Sequence, residues 1–313
     1  MKINYFNSKF KKIISLLVIC LLTISAMGCS SDNNSFVESK RTLPKNIKSI
    51  ITSAKDGDAL IMLGKDNDGN IEVLKSTDKA KNFETKKLSV DFSDKTILYG
   101  AIGKDHRYAV LYGVTNKFGV TTTETKELHI YDEGDKDIKI EIPTDDVDSV
   151  SNILLAEDSI IVVCSNGAIY QYNSETAELM NKVDGDDKKV VISSAIVNGS
   201  LIIATNDSIE RYDFDSDFKS KKIKALKDFV DGDFTLISSI EDDNLYFVYD
   251  NSLYKYNLKE DKTSRIIKSE DETSFSKDNY IAIYFCMYSD KEAIGLFLDL
   301  DYNYHMIYFS KNK

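Results

Sequence analysis

The chain has 313 residues, of which 42% are hydrophobic, and it carries 51 acidic against 40 basic residues, a formal net charge of −11. Such an excess of negative charge repels the phosphates of nucleic acids and of anionic lipid headgroups, which argues against both as partners. The four cysteines form no CxxC pair and no Cys/His cluster, which argues against a structural zinc site.

The first 28 residues have the pattern of a secretion signal. Four lysines and no acids within the first twelve residues precede an apolar run over residues 13–24. This run is shorter than the roughly 20 residues that a membrane-spanning helix needs, so it indicates a signal peptide. Small residues follow, ending in Gly28, and the next residue is Cys29.

This stretch resembles the lipobox of bacterial lipoproteins, although Ala26 stands where that family prefers Leu or Val. The resemblance implies cleavage before Cys29 and attachment of a diacylglyceryl group, with fatty acids such as palmitate, to its sulfur. Two acyl chains hold a protein firmly on a membrane, so we expect a lipid-anchored protein on the extracytoplasmic face of the cell membrane. The alternatives are an ordinary signal peptide with a chance cysteine, or lipidation at Cys20, which lies inside the apolar run.

Residues 29–35 are predicted to be a flexible lipidated tether because they are polar and rich in Ser and Asn. Cleavage would remove four lysines and no acids, which leaves 36 basic against 51 acidic residues and a charge of −15. Residues 36–313 are predicted to form one domain, and the repeats described next indicate its fold.

Four segments repeat one pattern of a polar turn, an aliphatic residue, a tyrosine and then Asn or Asp. They are "KELHIYD" (126–132), "NGAIYQYN" (166–173), "NDSIERYD" (206–213) and "DNSLYKYN" (250–257), and their aliphatic residues are Leu128, Ile169, Ile209 and Leu253. Spacings of 40 to 44 residues, with four short strand-like runs in each period, are typical of the blades of a β-propeller.

The predicted fold is therefore all-β, a propeller most simply divided into six four-stranded blades, with seven as the alternative. We place the units at 45–94, 95–145, 146–187, 188–229, 230–272 and 273–313. The last unit contains three strand-like runs, so we expect the segment 36–43 to supply its fourth strand and to close the ring. On this division Cys164 and Cys286 lie in buried strands of blades three and six, too far apart for a disulfide.

Two weak motifs resemble those of known propeller families. The segment 167–179 is similar to the pyrroloquinoline-quinone-type repeat, with Asn173, Thr176 and Ala177 in its conserved places but without its tryptophan. The segment 76–83, "STDKAKNF", resembles the Asp-box of sialidase-type propellers, with Ser76, Asp78 and Phe83 matching. In both families the motif is a turn between the third and fourth strands, so the resemblance implies architecture rather than activity.

The activities of those families have little support in the residues. A sialidase holds its substrate carboxylate with three arginines, because each guanidinium can bind it through two hydrogen bonds. This chain has only Arg41, Arg107, Arg211 and Arg265, which the predicted blades separate. We interpret His106, His129 and His305 as structural or surface residues, and we predict no catalytic residue and no cofactor.

Acidic turns raise the question of a calcium site. The best candidates are Asp66, Asp68 and Asn70 in "DNDGN", with "DGDD" (184–187) and "DFDSD" (213–217) behind them. None of these segments continues to the distal glutamate of an EF-hand, and Asp-Gly and Asn-Gly sequences are typical of hairpin turns. We therefore interpret them as turns and predict no metal.

The sequence predicts a lipid-anchored propeller that acts as a binding or scaffolding module, for an envelope protein complex or an extracellular ligand such as a glycan. The alternative is a hydrolase or lyase acting on extracellular glycans. Two carboxylates about 5 to 10 Å apart at one mouth of the ring would favour the enzyme, whereas an uncharged or aromatic mouth would favour binding.

Overall fold

A computed structural model describes the protein over residues 36–88, 90, 95–104, 106–115, 121–132, 136–143, 150–214, 218–230, 234–238, 243–250, 252–267 and 280–311. Side chains 114, 115 and 121–125 are outside this description. Residues 38–310 form one compact unit; the second comprises residues 1–37 and 311–313. In the second unit the Lys311 ammonium lies 4.9 Å from the centre of the Phe36 ring.

The architecture is a six-bladed β-propeller, as the sequence predicts. Each blade is a four-stranded antiparallel sheet whose strands follow one another in chain order, except in blade 6. Blades 1 to 3 consist of β2 Ile47–Asp56, β3 Ala59–Asp66, β4 Ile71–Ser76 and β5 Glu84–Lys87; β6 Lys95–Ile102, β7 Tyr108–Thr115, β8 Thr121–Tyr131 and β9 Asp137–Ile140; and β10 Val150–Leu155, β11 Ser159–Cys164, β12 Ile169–Asn173 and β13 Leu179–Val183.

The other three blades follow the same plan. A 3-10 helix, Lys224–Phe229, follows blade 4 and buries Leu226. The strands are β14 Val191–Val197, β15 Ser200–Thr205, β16 Ile209–Asp213 and β17 Ser220–Lys222; β18 Phe234–Ile237, β19 Asn244–Tyr249, β20 Ser252–Asn257 and β21 Lys262–Ile267; and β22 Ile281–Ser289, β23 Glu292–Leu298 and β24 Tyr304–Lys311.

The N-terminal strand closes the ring. Strand β1, Phe36–Arg41, pairs with β24, so the sheet order of blade 6 is β1-β24-β23-β22. The prediction that the segment 36–43 completes the last blade is therefore confirmed. Closure gives β24 a partner on its outer side, where an unpaired edge would invite aggregation.

Burial follows the position of each strand within its blade. The second strands are continuous apolar runs, and in β11 and β15 every residue is buried because both faces pack against neighbouring blades. The outermost strands β5 and β17 are fully exposed and rich in lysine. Lysines on an exposed edge oppose strand addition by another molecule.

The repeated residues build equivalent contacts in successive blades. Ile169 packs in the cluster between blades 3 and 4, whereas Tyr172 packs in the cluster between blades 2 and 3. These two side chains therefore point to opposite faces of blade 3. Tyr212 and Tyr256, at the matching positions, are buried as well.

The Asn of the repeat shapes the turn between the third and fourth strands. The Asn173 side-chain oxygen accepts hydrogen bonds from the backbone N–H groups of Glu175 and Thr176, both at 2.9 Å. Asn257 accepts the corresponding bonds from Lys259 and Glu260 in blade 5, at 3.0 and 2.8 Å. Short side chains that bond their own backbone stabilise such turns.

Both cysteines of the propeller are free and buried, Cys164 in blade 3 and Cys286 in blade 6, as predicted. Within the described part of the chain, no helix is both long enough and apolar enough to cross a membrane.

Candidate functional site: the axial channel

A channel of about 380 Å³ runs along the centre of the ring. The first strand of every blade contributes to its wall, because in each sheet the first strand is the innermost. We use "upper face" for the end of the propeller at which these first strands begin and "lower face" for the other end. The lining residues include Ile51–Lys55 of blade 1, Leu98–Ile102 of blade 2, Asn152–Leu155 of blade 3, Ser194 and Ile196 of blade 4, Thr235–Ser238 of blade 5 and Ala282–Met287 of blade 6.

The wall combines aliphatic side chains with hydroxyl and amide groups. Lys55 is the single charged residue among the described residues of the lining, and none of them is acidic. A cavity of this size and mixed polarity suits a small organic molecule or part of a larger chain, held by a few polar contacts. The lining as described does not offer the pair of carboxylates that glycoside hydrolysis requires.

Hydrogen bonds between neighbouring first strands hold the polar part of the wall. The Asn152 amide donates to Ser194 Oγ at 3.0 Å, which joins blades 3 and 4. The backbone N–H of Ile196 donates to Ser238 Oγ at 3.1 Å, which joins blades 4 and 5. The Tyr284 hydroxyl donates to the backbone oxygen of Ile51, which joins blades 6 and 1. Two of these bonds use backbone groups, the Ile196 N–H and the Ile51 oxygen, of innermost strands, which have no neighbouring strand on the side of the axis.

At blade 5 the cavity extends outwards from the first strand to the second. The first strand, β18, is four residues long, and Tyr246 and Val248 of the second strand also line the cavity. Thr235 and Ser238 are both exposed at this wall. A ligand in the channel would therefore meet exposed hydroxyl groups on blade 5.

None of the channel residues was among the site residues predicted from the sequence. Asn152, Ser194 and Ser238 lie in the runs "SVSNILL", "VISSAIV" and "FTLISS". Polar residues that interrupt an otherwise apolar first strand were the available signal. These polar residues have no evident role until the ring is known, because only the ring shows that the first strands of all blades line one channel.

The predicted site residues lie elsewhere. Cys29 is outside the described residues, so the structure says nothing of lipid attachment. Asp66, Asp68 and Asn70 form the turn between β3 and β4: Asp66 Oδ1 accepts the N–H groups of Asp68 and Asn70 at 2.9 and 2.7 Å, and Asp66 Oδ2 accepts the Asn70 amide at 2.8 Å. Burial acts to raise the pKa of Asp66, but these hydrogen bonds lower it overall.

Acidic side chains of the other two turns also form hydrogen bonds or ion pairs with nearby residues. Asp186 accepts the N–H of Lys188 at 3.0 Å, and Asp184 pairs with Lys182 at 3.0 Å. Asp213 pairs with Arg211, while residues 215–217 of that turn are outside the described chain. Among the residues that the structure describes, no group of three or more His, Cys, Asp or Glu side chains is arranged to hold a metal.

The histidines lie within structural contacts. His129 is buried between the rings of Tyr112 and Tyr131, with Nδ1 at 2.5 Å from Asp137 Oδ1 and Nε2 at 3.3 Å from Glu127 Oε2. Lys139 and Tyr112 also bind Glu127 and, with His129, hold the pKa of its carboxyl at about 2. His305 bonds to Asp299 at 2.8 Å and stacks on Tyr280, and His106 lies 3.1 Å from Lys75 Nζ.

The arginines do not converge on one site. Arg107 bonds to Ser174 and to the backbone oxygen of Glu157, which joins blades 2 and 3, whereas Arg211 bonds within blade 4. Arg41 donates to the backbone oxygen of Lys79 at 3.0 Å, and Arg265 is an exposed residue of β21. This arrangement differs from the three-arginine site of a sialidase.

By sequence, the chain matches no protein-family model and no curated protein. By fold, it is similar to PorZ of Porphyromonas gingivalis, an essential bacterial surface component of the type-IX secretion system, with a TM-score of 0.51 and 10% identity, over 86% of this chain and 33% of that one. It is similar to YCF48 bound to a D1 peptide, with a TM-score of 0.50 and 11% identity, over 90% and 96% of the two chains.

Trypanosoma rangeli sialidase, in complex with the inhibitor DANA, gives a TM-score of 0.53 and 10% identity, over 87% of this chain and 59% of that one. The chain therefore spans about a third of PorZ and about three fifths of the sialidase. At these identities the likeness shows the propeller fold alone.

Proposed function

We propose that the protein is a lipid-anchored binding or scaffolding module on the extracytoplasmic face of the cell membrane, and that the axial channel and the loops around it hold its ligand or partner. The observation that carries the binding role is the channel lining, which joins apolar and hydroxyl side chains from six blades with Lys55 as its one charged residue among those described. Such a surface recognises a ligand through shape and a few hydrogen bonds.

Two of the similar folds support a binding role. YCF48 is bound to a peptide, and PorZ is a component of a secretion system at a bacterial surface. We therefore favour an envelope protein or an extended peptide segment over a small metabolite as the occupant. The proposed location rests on the resemblance of residues 1–29 to a lipoprotein signal.

The test of the binding role is cross-linking on intact cells, followed by mass spectrometry of the attached molecules. The informative variant is Thr235→Trp, because Thr235 is an exposed residue of the channel wall and a tryptophan there would obstruct the channel without entering the core. Thr263→Trp is the matched control, since Thr263 is exposed on the outermost strand of the same blade.

We expect a reproducible protein adduct that is lost in Thr235→Trp and retained in Thr263→Trp. An adduct that survives both changes would place the partner away from the channel. If no protein adduct forms and the purified chain cleaves extracellular glycans, the proposed binding role is wrong and the hydrolase or lyase takes its place.

The anchor is tested separately by Cys29→Ala, with Cys20→Ala as the matched control within the same signal. We expect Cys29→Ala to release the protein into the medium or to leave an unprocessed precursor, whereas Cys20→Ala should give the mature, membrane-bound form. Membrane retention of a fully processed Cys29→Ala protein, measured by cell fractionation and intact mass, would contradict lipidation at Cys29.

A further inference from the structure

Two turns on the upper face have the same backbone design. In blade 1, Asp66–Asn70 joins β3 to β4, and in blade 6, residues 299–303 (Asp-Leu-Asp-Tyr-Asn) join β23 to β24. Asp299 Oδ1 accepts the N–H groups of Asp301 and Asn303 at 2.9 and 2.8 Å, as Asp66 Oδ1 does with Asp68 and Asn70. Both turns are also closed by a backbone bond from the first residue to the fifth, at 3.1 Å in blade 6 and 2.9 Å in blade 1.

The two turns differ at their outward positions. The fourth residue has a positive φ in both, and it is Gly69 (89°) in blade 1 but Tyr302 (62°) in blade 6. The second residue is Asn67 in blade 1 and Leu300 in blade 6. Glycine adopts a positive φ without strain, whereas a bulky side chain there is strained. The turn itself therefore does not need the leucine or the tyrosine.

Burial within the protein does not compensate for the strain at Tyr302. Tyr302 is 82% exposed and Leu300 is 74% exposed, the two highest values among the large hydrophobic residues that the structure describes. Phe218, also at a positive φ, is instead buried beside Phe214 and Tyr212. Strained, exposed residues of this kind are typical of functional surfaces.

A third exposed apolar residue lies beside the turn. Ile281, which is 59% exposed, pairs with Leu298 at the end of the β22–β23 ladder, one residue before the turn begins. The turn is held firmly, because Asp299 also binds Asn303 and His305, and His305 stacks on Tyr280. An exposed aromatic residue on a rigid support is the kind of anchor that dominates protein interfaces.

We propose that Ile281, Leu300 and Tyr302, which we call the blade 6 tip, form a docking surface for a protein with an apolar pocket bordered by lysine or arginine. Asp301 is exposed between the two anchors, and Asp299 lies at the base of the turn. The formal charge of −11 makes a second copy of this chain or an anionic membrane an unfavourable occupant. A basic partner complements both the tip and the whole chain.

This inference rests on the proposed scaffolding role and identifies the surface through which it acts. The test begins with a photo-crosslinking amino acid placed at Leu300 in the full chain on intact cells. Met180, 50% exposed on the outermost strand of blade 3, is the matched control position. We expect one protein to cross-link from position 300 and not from position 180.

The identified protein is then purified, and its affinity for the full chain is measured against Leu300→Asn/Tyr302→Gly. This double variant converts the blade 6 turn to the residues of the blade 1 turn, so the fold should tolerate it. We expect the double variant to bind at least tenfold more weakly than the wild type. Its Tm should be equal to that of the wild type or higher, because the strain at Tyr302 is relieved. Binding by the wild type should weaken as the salt concentration increases.

Three outcomes would overturn the inference: equal cross-linking from positions 300 and 180, cross-linking only to a second copy of this chain or to lipid, or unchanged affinity in the double variant. A fall in Tm in the double variant would overturn it as well, because it would show that Leu300 or Tyr302 stabilises the fold. Because the double variant leaves the channel unchanged, a partner lost in Thr235→Trp but retained here would leave the proposed function standing without the tip.

Discussion

At the scale of single residues, the acidic side chains of the described turns act mainly as hydrogen-bond acceptors. Asp78, in the turn that resembles an Asp-box, accepts the N–H groups of Lys81 and Asn82 at 3.0 Å and the Asn82 amide at 2.7 Å. Ser76 donates to Asp78 at 2.8 Å and in turn accepts the N–H of Ala80. The positive φ angles of Lys79 and Ala80 in this turn are held by that network.

These bonds make the Asp78 turn sensitive to acid. The backbone and side-chain bonds from Asn82, followed by that from Ser76, lower the pKa of Asp78 from 3.8 to about 2. A group with a lowered pKa stabilises the folded state above its ordinary pKa, and that contribution is lost as the pH falls through the folded value. We expect Asp78→Ala to lower Tm at pH 7, with the difference from the wild type disappearing between pH 4 and pH 2.

The control is Asp68→Ala, because Asp68 is an exposed acid at the tip of a hairpin in the same blade. It should change Tm little at any pH in this range. Thermal unfolding followed by circular dichroism measures both variants, and a constant Tm difference for Asp78→Ala across the pH range would contradict the assignment.

At the scale of elements, the close approach of the first strands determines the width of the channel. Gly100 of β6 faces β2 of blade 1, and a Cβ atom at this position would lie 2.6 Å from Ile51 Cγ2 and 3.3 Å from Thr52 Cγ2. The absence of a side chain at Gly100 therefore lets blades 1 and 2 pack together beside the channel.

Gly100→Ala should consequently destabilise the protein by about 1–3 kcal/mol, the usual result of forcing one extra carbon into a packed core. Ile51→Ala in the same chain should relieve the collision, so the two changes should cost less together than the sum of their separate costs. Urea unfolding of the four proteins of this cycle measures the coupling. Additive effects would show that the two residues do not meet as described.

At the scale of the whole molecule, closure of the ring joins distant parts of the chain. Beside the β1–β24 pairing, Lys79 of blade 1 pairs with Glu292 of blade 6 at 2.6 Å, and Glu292 accepts the Tyr308 hydroxyl at 2.5 Å. The Arg41 guanidinium lies 5.0 Å from the centre of the Tyr308 ring and bonds the backbone of Lys79. The place where blade 6 meets blade 1 and the ring closes, which we call the seam, is thus held by both a strand pairing and a side-chain network.

Deletion of residues 36–43 should therefore open the seam. We expect Tm to fall by at least about 10 °C, equivalent to roughly 3 kcal/mol for a domain of this size. The exposed edge of β24 should also cause aggregation at concentrations where the wild type stays dispersed. Calorimetry and light scattering measure the two effects.

Deletion of residues 30–35 is the matched control, since it shortens the predicted tether by a similar length and leaves β1 present. It should leave Tm unchanged. Equal behaviour of the two deletions would mean that β1 does not close the ring.

Much of this fold could be predicted because its repeats are local patterns. The aliphatic residue, tyrosine and Asn or Asp recur with the third strand of successive blades, so Ile169, Ile209 and Leu253 indicated the period, and the period indicated the blade. The candidate site could not be found in this way. Asn152, Ser194 and Thr235 are separated by about 40 residues each, and each lies in a mainly apolar strand with at most one other polar residue.

The sequence by itself indicated a propeller of six blades, with seven as the alternative, together with the closing segment, the buried thiols of Cys164 and Cys286 and the prediction of a lipid anchor at Cys29. These properties depend on hydrophobic alternation, turn residues and short motifs, all of which act over a few neighbouring residues. Only the tertiary structure decided that the first strands enclose a channel with Lys55 as the one charge described in its lining, and that the turns at Gly69 and Tyr302 share one geometry. Those properties depend on distances between residues far apart in the chain, which are established when the ring closes.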